Sequence, residues 1–312
     1  MGRNTSKVLE MWANKIAKKN HDIALPVGFE ECNTMIGNPK HPNTGDRTKV
    51  FDFQVDYFNA VRDHHKVILD KSRKIGATET ALRIIAYNCF DHYDKNLKLV
   101  ERSKYAGHVV MIVAGNKQSV ANGFIRRFRQ IFEDGFTDMR GNYWSKEEIL
   151  FGDASNRVEL FNGVVIEAYP ASEAVRGEAN VICVFMSESA FIKLLDDSVV
   201  YKAVRPNISN IENADFILES TPNGKRGFFY EIWDKAHQTP PTTDFYPLFQ
   251  PYTVAMGKIL FEDDIERMKV EYTKDFFEQE YCGLFTTSGN AAFKEDEIVF
   301  EEDKGIDYFE DI

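Results

Sequence analysis

The sequence predicts an α/β protein built on a mainly parallel central sheet flanked by helices, and two observations predict it. The first is the stretch around residue 75. An apolar run, Val67-Ile68-Leu69, leads into Asp70-Lys71-Ser72-Arg73-Lys74-Ile75-Gly76-Ala77-Thr78-Glu79-Thr80, and a helical pattern (Ala81, Leu82, Ile84, Ile85, Ala86) leads out. Strand, glycine-bearing loop and helix start make a cradle for phosphate: N–H groups at a helix N-terminus point at the anion, and the macrodipole favours it. The second is a set of short apolar runs, Val109–Ala114 and Val181–Met186, with Phe216-Ile217-Leu218 a third. Strands buried on both faces of a parallel sheet read this way, and ligands bind where such strands end.

At 312 residues the chain can bury a sizeable core as one large domain or two small ones. No apolar run is long enough to span a membrane, and the polar, basic first twenty residues lack the apolar segment of a secretory signal. Cys32, Cys89, Cys183 and Cys282 lie far apart, with no metal-ligand spacing; they read as reduced thiols of a cytosolic protein. A net charge of −11 argues against a nucleic-acid partner only until its distribution is considered. Residues 295–312 hold nine acids and one lysine, so the rest of the chain carries −3 and can hold a local basic patch.

In order, residues 1–20 read as a helix with Val8, Leu9, Trp12 and Ile16 on one face, either docked on the core or serving as a partner-binding arm. Residues 21–50, punctuated by Pro26, Gly28, Gly37, Pro39, Pro42 and Gly45, read as irregular loop. A helix starts near Phe51. After the run at 109–114, Lys117 to Phe132 reads as a helix, residues 133–156 as loop, and residues 158–168 as a hairpin turning at Asn162-Gly163. Gly227 to His237 reads as a helix, 238–260 as a loop with four prolines, and Asp263 to Gly283 as a helix pair. The expected division is an arm at 1–50, a phosphate-loop core at 51–237, a lid or closing subdomain at 238–294 and an acidic tail at 295–312.

Against the usual pattern G-x-x-x-x-G-K-[ST], the lysine position holds Ala77 and the first glycine position holds Lys71. Lys71, with Lys74 as alternate, can supply the missing charge by curling over the phosphates; read alone, Lys71, Arg73 and Lys74 also fit a solvated basic turn. Gly76 allows close backbone approach, and Thr78 offers a hydroxyl to Mg²⁺. Gln54 carries an amide that can donate to and accept from an adenine edge at once. Glu188 follows the run at 181–186, where a carboxylate can orient a water for attack on a γ-phosphate. Ser220-Thr221-Pro222-Asn223-Gly224 follows another strand and fits either a γ-phosphate sensor or an ordinary turn. Arg126, Arg127 and Arg129 lie in an acid-free stretch, as a solvated face or as arginines reaching DNA or a neighbouring subunit's nucleotide.

Taken in order, Gln, phosphate loop, apolar strand plus Glu, and Ser-Thr-Pro-Asn-Gly resemble the ATPase domain of the large terminase subunit, the DNA-packaging motor of tailed phages and related viruses. The matching stretches are Asp52-Phe53-Gln54, Lys71 to Thr78, Arg176-Gly177, Phe185 to Ile192 and Ser220 to Gly224, with Phe277-Glu278-Gln279-Glu280-Tyr281 similar to the segment closing that region. The resemblance covers roughly residues 50–295. It implies a RecA-like, additional-strand (ASCE-type) P-loop ATPase with a small lid, and ATP and Mg²⁺ as cofactors. It puts the nucleotide on Gln54 and on Lys71, Ser72, Arg73, Lys74, Ile75, Gly76, Ala77, Thr78 and Glu79. Thr78 and Ser187 would serve the metal, Glu188 and Arg73 catalysis, and Ser220, Thr221 and Asn223 coupling. One of Arg126, Arg127 and Arg129 would act on a neighbouring subunit's nucleotide or on DNA.

The implied partners are double-stranded DNA, a portal protein, a small terminase subunit and further copies in a ring, in the host cytoplasm and away from membranes. Two departures from the family stand out. Ser187 occupies a position where the family usually has Asp. Only about twenty residues follow Gly289, so a complete nuclease of the ribonuclease H type is not expected, although Gly305-Ile306-Asp307 fits the start of one. The rival expectations are a helicase-like ATPase and a nucleotide-binding assembly subunit whose hydrolysis is weakened by Ala77 and Ser187.

Overall fold

The computed structural model describes residues 23–41, 44–172, 175–192 and 197–286. The expected N-terminal helix and acidic tail lie outside the described residues. An eight-stranded sheet forms the centre. Its strands are β1 (Lys66–Lys71), β2 (Val109–Ala114), β3 (Leu150–Phe151), β4 (Arg157–Leu160), β5 (Val165–Tyr169), β6 (Val181–Ser187), β7 (Asp215–Ser220) and β8 (Tyr246–Gln250). Their spatial order is β8-β1-β7-β6-β2-β5-β4-β3. The first six run parallel, and the hairpin partner β4 and the short β3 extend the sheet antiparallel.

Residues alternate between the two faces of a strand, and here both faces are covered. Val67 and Leu69 of β1, Cys183 and Phe185 of β6 and Ile217 of β7 belong to one apolar cluster. That cluster is completed by α1 (Phe29–Ile36), α2 (Asp52–His64), α3 (Ala77–Asn88) and α4 (Gln118–Ile131). Ile68, Val184, Met186, Phe216 and Leu218 face a second cluster, completed by Phe228, Phe229 and Ile232 of α5 (Gly227–Ala236). This is why the strand sequences are unbroken apolar runs. The strand order puts β7 between the phosphate-loop strand β1 and the Glu188-bearing strand β6, the additional-strand arrangement the motifs imply. All six parallel strands end at one edge, and Lys71, Ser187, Ser220 and Gln250 are brought together there.

Three stretches read as loop contain structure. Residues 24–26 form a strand pairing with 91–93, which in turn pairs with 99–101, and α1 follows. The punctuating residues sit at the ends of these elements: Pro26 closes the strand, Gly28 precedes α1, and Gly37, at φ 101°, follows it. Residues 136–137 pair with 143–144, and β3 follows them. In 238–260, β8 adds to the sheet beside β1. It carries Pro247 because an edge strand needs no N–H on its open side. Residues 246–250 therefore lie in the main sheet, and the segment outside it starts later than the expected boundary at 238. That segment holds α6 (Glu262–Glu271) and α7 (Lys274–Glu280), the expected helix pair.

Candidate functional site

The cradle is made by local backbone geometry. β1 delivers Lys71; the loop then takes positive φ at Lys74 (62°) and at Gly76 (79°), and α3 begins at Ala77. Alternating handedness of this kind turns successive N–H groups toward one concavity, and the first-turn N–H groups of α3 add to it. The loop is pinned from outside: the Ser72 N–H donates to the Gln250 carbonyl at 2.8 Å and the Arg73 N–H to the Glu280 carbonyl at 2.8 Å.

Four charged or polar side chains meet at the strand ends. Lys71 is buried and donates from Nζ to Glu188 Oε1 at 2.9 Å. Burial works against its charge, but the carboxylates of Glu188 and Glu219 outweigh burial and hold the ammonium pKa above its ordinary value. Glu188 itself takes a left-handed backbone (φ 53°, ψ 45°) directly after β6. Such a conformation in a non-glycine residue persists only where its surroundings impose it. Thr78 Oγ1 donates to Glu219 Oε1 at 2.7 Å. Glu219 is wholly buried, its Oε2 has no hydrogen-bond partner among the described residues, and burial pushes its carboxyl up to about 7 against the opposing pull of Lys71. Ser187, buried at the end of β6, is the register partner of Glu219 on β7.

The residues after β7 brace both halves of this cluster. Ser220 Oγ accepts the Ala190 N–H at 3.2 Å, and Asn223 Nδ2 donates to the Ala190 carbonyl at 2.9 Å, so two side chains grip the turn that follows Glu188. Thr221 Oγ1 donates to Glu280 Oε2 at 3.3 Å, and Arg73 pairs through Nε with the same oxygen. Arg73, expected on the phosphates, is thus turned to the buried Glu280 of the closing helix α7. Lys74 is exposed and Ser72 is buried, its hydroxyl on the Arg73 carbonyl at 3.1 Å.

Beside the cradle lies a cavity of about 480 Å³ whose wall includes Gln54, Lys74, Gly76, Glu79, Arg127 and Ile259. Its volume is in the range of small-molecule sites. Gln54 corrects the sequence expectation in part. Its Oε1 accepts the Phe51 N–H at 2.9 Å, capping α2, while Nε2 lies 3.4 Å from where a Cβ on Gly76 would stand. The carboxamide is therefore a helix cap as well as a wall of the cavity, and its donor is the end turned to the loop. A polar cleft of about 800 Å³ shares Lys40 and Glu79 with this cavity and runs along α4 past Arg126 and Arg129. The smaller cavity is the one that borders the loop, at Lys74, Gly76 and Glu79.

The three arginines separate. Arg129 donates from Nη2 to the carbonyls of Gly152, Ala154 and Arg157 at 2.7, 3.0 and 3.1 Å, which makes it a brace for that loop rather than a side chain reaching outward. Arg127 approaches Glu79 of its own chain at 3.7 Å, and Glu79 also accepts Arg83 Nε at 2.8 Å. Arg126 is exposed. Sequence reasoning missed Glu219 and Glu280. Glu219 reads as the polar end of an apolar strand, and Glu280 as one acid among several in a helix.

The chain matches the family described as terminase large subunit, T4likevirus-type, N-terminal, over residues 68–300. No curated protein sequence matches it. Among solved structures it is similar to the large terminase of bacteriophage HK97, at 17% identity and a TM-score of 0.61, over 80% of this chain and 54% of that one. It is similar to the large terminase ATPase domain of Thermus phage P74-26, at 15% identity and a TM-score of 0.51, over 76% of this chain and 94% of that one. It is also similar to the large terminase of a further thermophilic bacteriophage, in complex with ATP-gamma-S, at 12% identity and a TM-score of 0.53, over 76% of this chain and 53% of that one. The chain thus spans about half the length of the HK97 protein and of the ATP-gamma-S-bound one, and the likeness is one of fold. With the family match covering well over half of its 312 residues, the chain belongs to the family of T4likevirus-type terminase large subunits.

Proposed function

We propose that this chain binds ATP with Mg²⁺ in the cavity beside residues 71–79 and hydrolyses it to drive double-stranded DNA into a viral procapsid. The observation that carries the reading is the Lys71–Glu188 ion pair and, on the strand between them, Glu219 accepting the Thr78 hydroxyl at the start of α3, beside a cavity large enough for a nucleotide. The polyphosphate lies on the N–H groups of residues 74–79. Lys71 answers its charge from the front of the loop, with Lys74 on the exposed side. Gln54 borders the base through its Nε2. Once phosphate competes for Lys71, Glu188 is released from its ion pair to hold the attacking water. Arg73 joins the phosphates only by leaving Glu280.

The residues present fit a bound Mg²⁺: the Thr78 hydroxyl and the Glu219 Oε2, which has no partner among the described residues, are oxygen donors of the kind this ion takes. When bound, the ion neutralises charge on the transferring phosphoryl group. Coupling runs through Ala190, which Ser220 and Asn223 hold, and through Glu280, which Thr221 and Arg73 share. In the whole motor the partners are a portal protein, a small terminase subunit and further copies in a ring, in the host cytoplasm. Phosphate release by the pure chain, with and without double-stranded DNA, tests the reading. DNA-stimulated release supports it. ATP binding without release favours an assembly subunit, and strand separation on a forked duplex favours a helicase.

A further inference from the structure

Ser187 brings no carboxylate to the end of β6, yet the cluster is not short of carboxylate. β7 stands between β1 and β6, and its last residues pair in register with both: Glu219 with Leu69 on one side and with Ser187 on the other. Register partners on neighbouring parallel strands point to the same face about 4.8 Å apart, and Glu is one methylene longer than Asp. A carboxylate launched from 219 therefore reaches the space that one launched from 187 would occupy.

The contacts agree with that placement. Oε1 of Glu219 takes the hydroxyl of Thr78, the loop residue suited to a cation, at 2.7 Å. Oε2 is buried and without a partner among the described residues. A carboxylate oxygen left unsatisfied in the interior is costly unless another ligand completes it. Lys71 Nζ, the neighbouring cation, is hydrogen-bonded to Glu188.

We propose that Glu219 is the metal-positioning carboxylate of this site. It would hold Mg²⁺, or a water bound to it, together with Thr78, so that the charge absent at 187 is carried one strand over. The inference rests on the ATP reading given above. It assigns Ser187 a permissive role: a small side chain leaves room for the longer one opposite. Two carboxylates facing each other across the strands would repel one another when no cation is bound.

The test is calorimetric binding of ATPγS to the full chain in EDTA and in Mg²⁺, with folding of each variant checked by circular dichroism. The unmutated chain binds more tightly in Mg²⁺. In Glu219→Gln the ratio of the affinity in Mg²⁺ to that in EDTA falls by roughly tenfold or more, the scale for losing a group that orients a metal site. Ser187→Asp in the Glu219→Gln background restores the enhancement, and Ser187→Asp alone adds none. Glu219→Gln with an undiminished enhancement overturns the proposal, as does a double variant no better than the single one. If Glu219→Gln does not fold, Ser187→Asp alone decides: a stronger Mg²⁺ enhancement means that the site lacked a carboxylate and Glu219 was not supplying it. An unmutated chain that binds no ATPγS in either buffer overturns the nucleotide reading itself, which is a different failure.

Discussion

Lys71 and Lys74 are three residues apart on one loop and are opposites in environment. Lys71 is buried and ion-paired with Glu188, whereas Lys74 is exposed on the rim of the cavity. An ammonium held inside low-dielectric surroundings acts on a phosphate far more strongly than one in water. Lys71→Ala is therefore expected to abolish ATP turnover and weaken nucleotide binding, and Lys74→Ala to do less to both, as read by phosphate release and by ATPγS titration. A lethal Lys74→Ala beside a tolerated Lys71→Ala would mean that the loop uses the other lysine. The sequence singles out Gln54, Lys71, Thr78 and Glu188 because each sits at a spacing or strand end with known chemistry, and the structure brings Lys71 to Glu188. The sequence hid Glu219, whose partner Thr78 is 141 residues away, because no local pattern encodes a contact of that range. The bond that occupies the Gln54 oxygen is local, from Phe51 three residues earlier, and shows only once the start of α2 is fixed.

The elements were legible where burial is symmetrical. β1, β2, β6 and β7 are apolar toward both helical layers, so their runs announce themselves; α4 shows through its buried Ala121, Phe124, Ile125 and Phe128. β8 and α1 were not legible, because Pro247 and the glycines that bound α1 look like loop punctuation until the edge position and the caps are known. The closing segment shows what such a glycine does. Gly283 follows α7 at φ +70°, and a Cβ there would stand 2.5 Å from Phe249 Cε2 and 3.3 Å from Asp70 Oδ1, against the edge strand and the phosphate-loop strand. Gly152 has a similar φ of +84° and nothing within 4 Å of its Cβ position. Gly152→Ala should cost only the left-handed strain, about 1–2 kcal/mol. Gly283→Ala should add overpacking of about 1–3 kcal/mol and loosen the brace that α7 places on the loop. Urea unfolding of both variants checks this; equal losses would mean that the segment after α7 yields freely.

At the scale of the molecule, the cations of the cradle are Lys71 and Lys74, with Arg73 held by Glu280 and Arg127 facing Glu79 in the same chain. Arg126 is the exposed member of its trio, on the polar cleft that adjoins the cavity beside the loop. An arginine supplied by a neighbour is worth about 10³–10⁵-fold in other nucleotide hydrolases. Turnover per chain should therefore rise with protein concentration, and Arg126→Ala should abolish the rise without changing ATP affinity. Arg129→Ala should instead lower stability through the loss of its three carbonyl contacts. A rise that survives in Arg126→Ala would exclude that arginine. The central claim, that the ends of β1 and β6 form an ATP-hydrolysing centre, is tested most directly by Glu188→Gln. Single-turnover hydrolysis and ATPγS binding are measured on the same preparation. The expected result is unchanged binding with hydrolysis reduced by about 10²-fold or more, the scale of losing a positioned base. Hydrolysis at the unmutated rate in Glu188→Gln would contradict it.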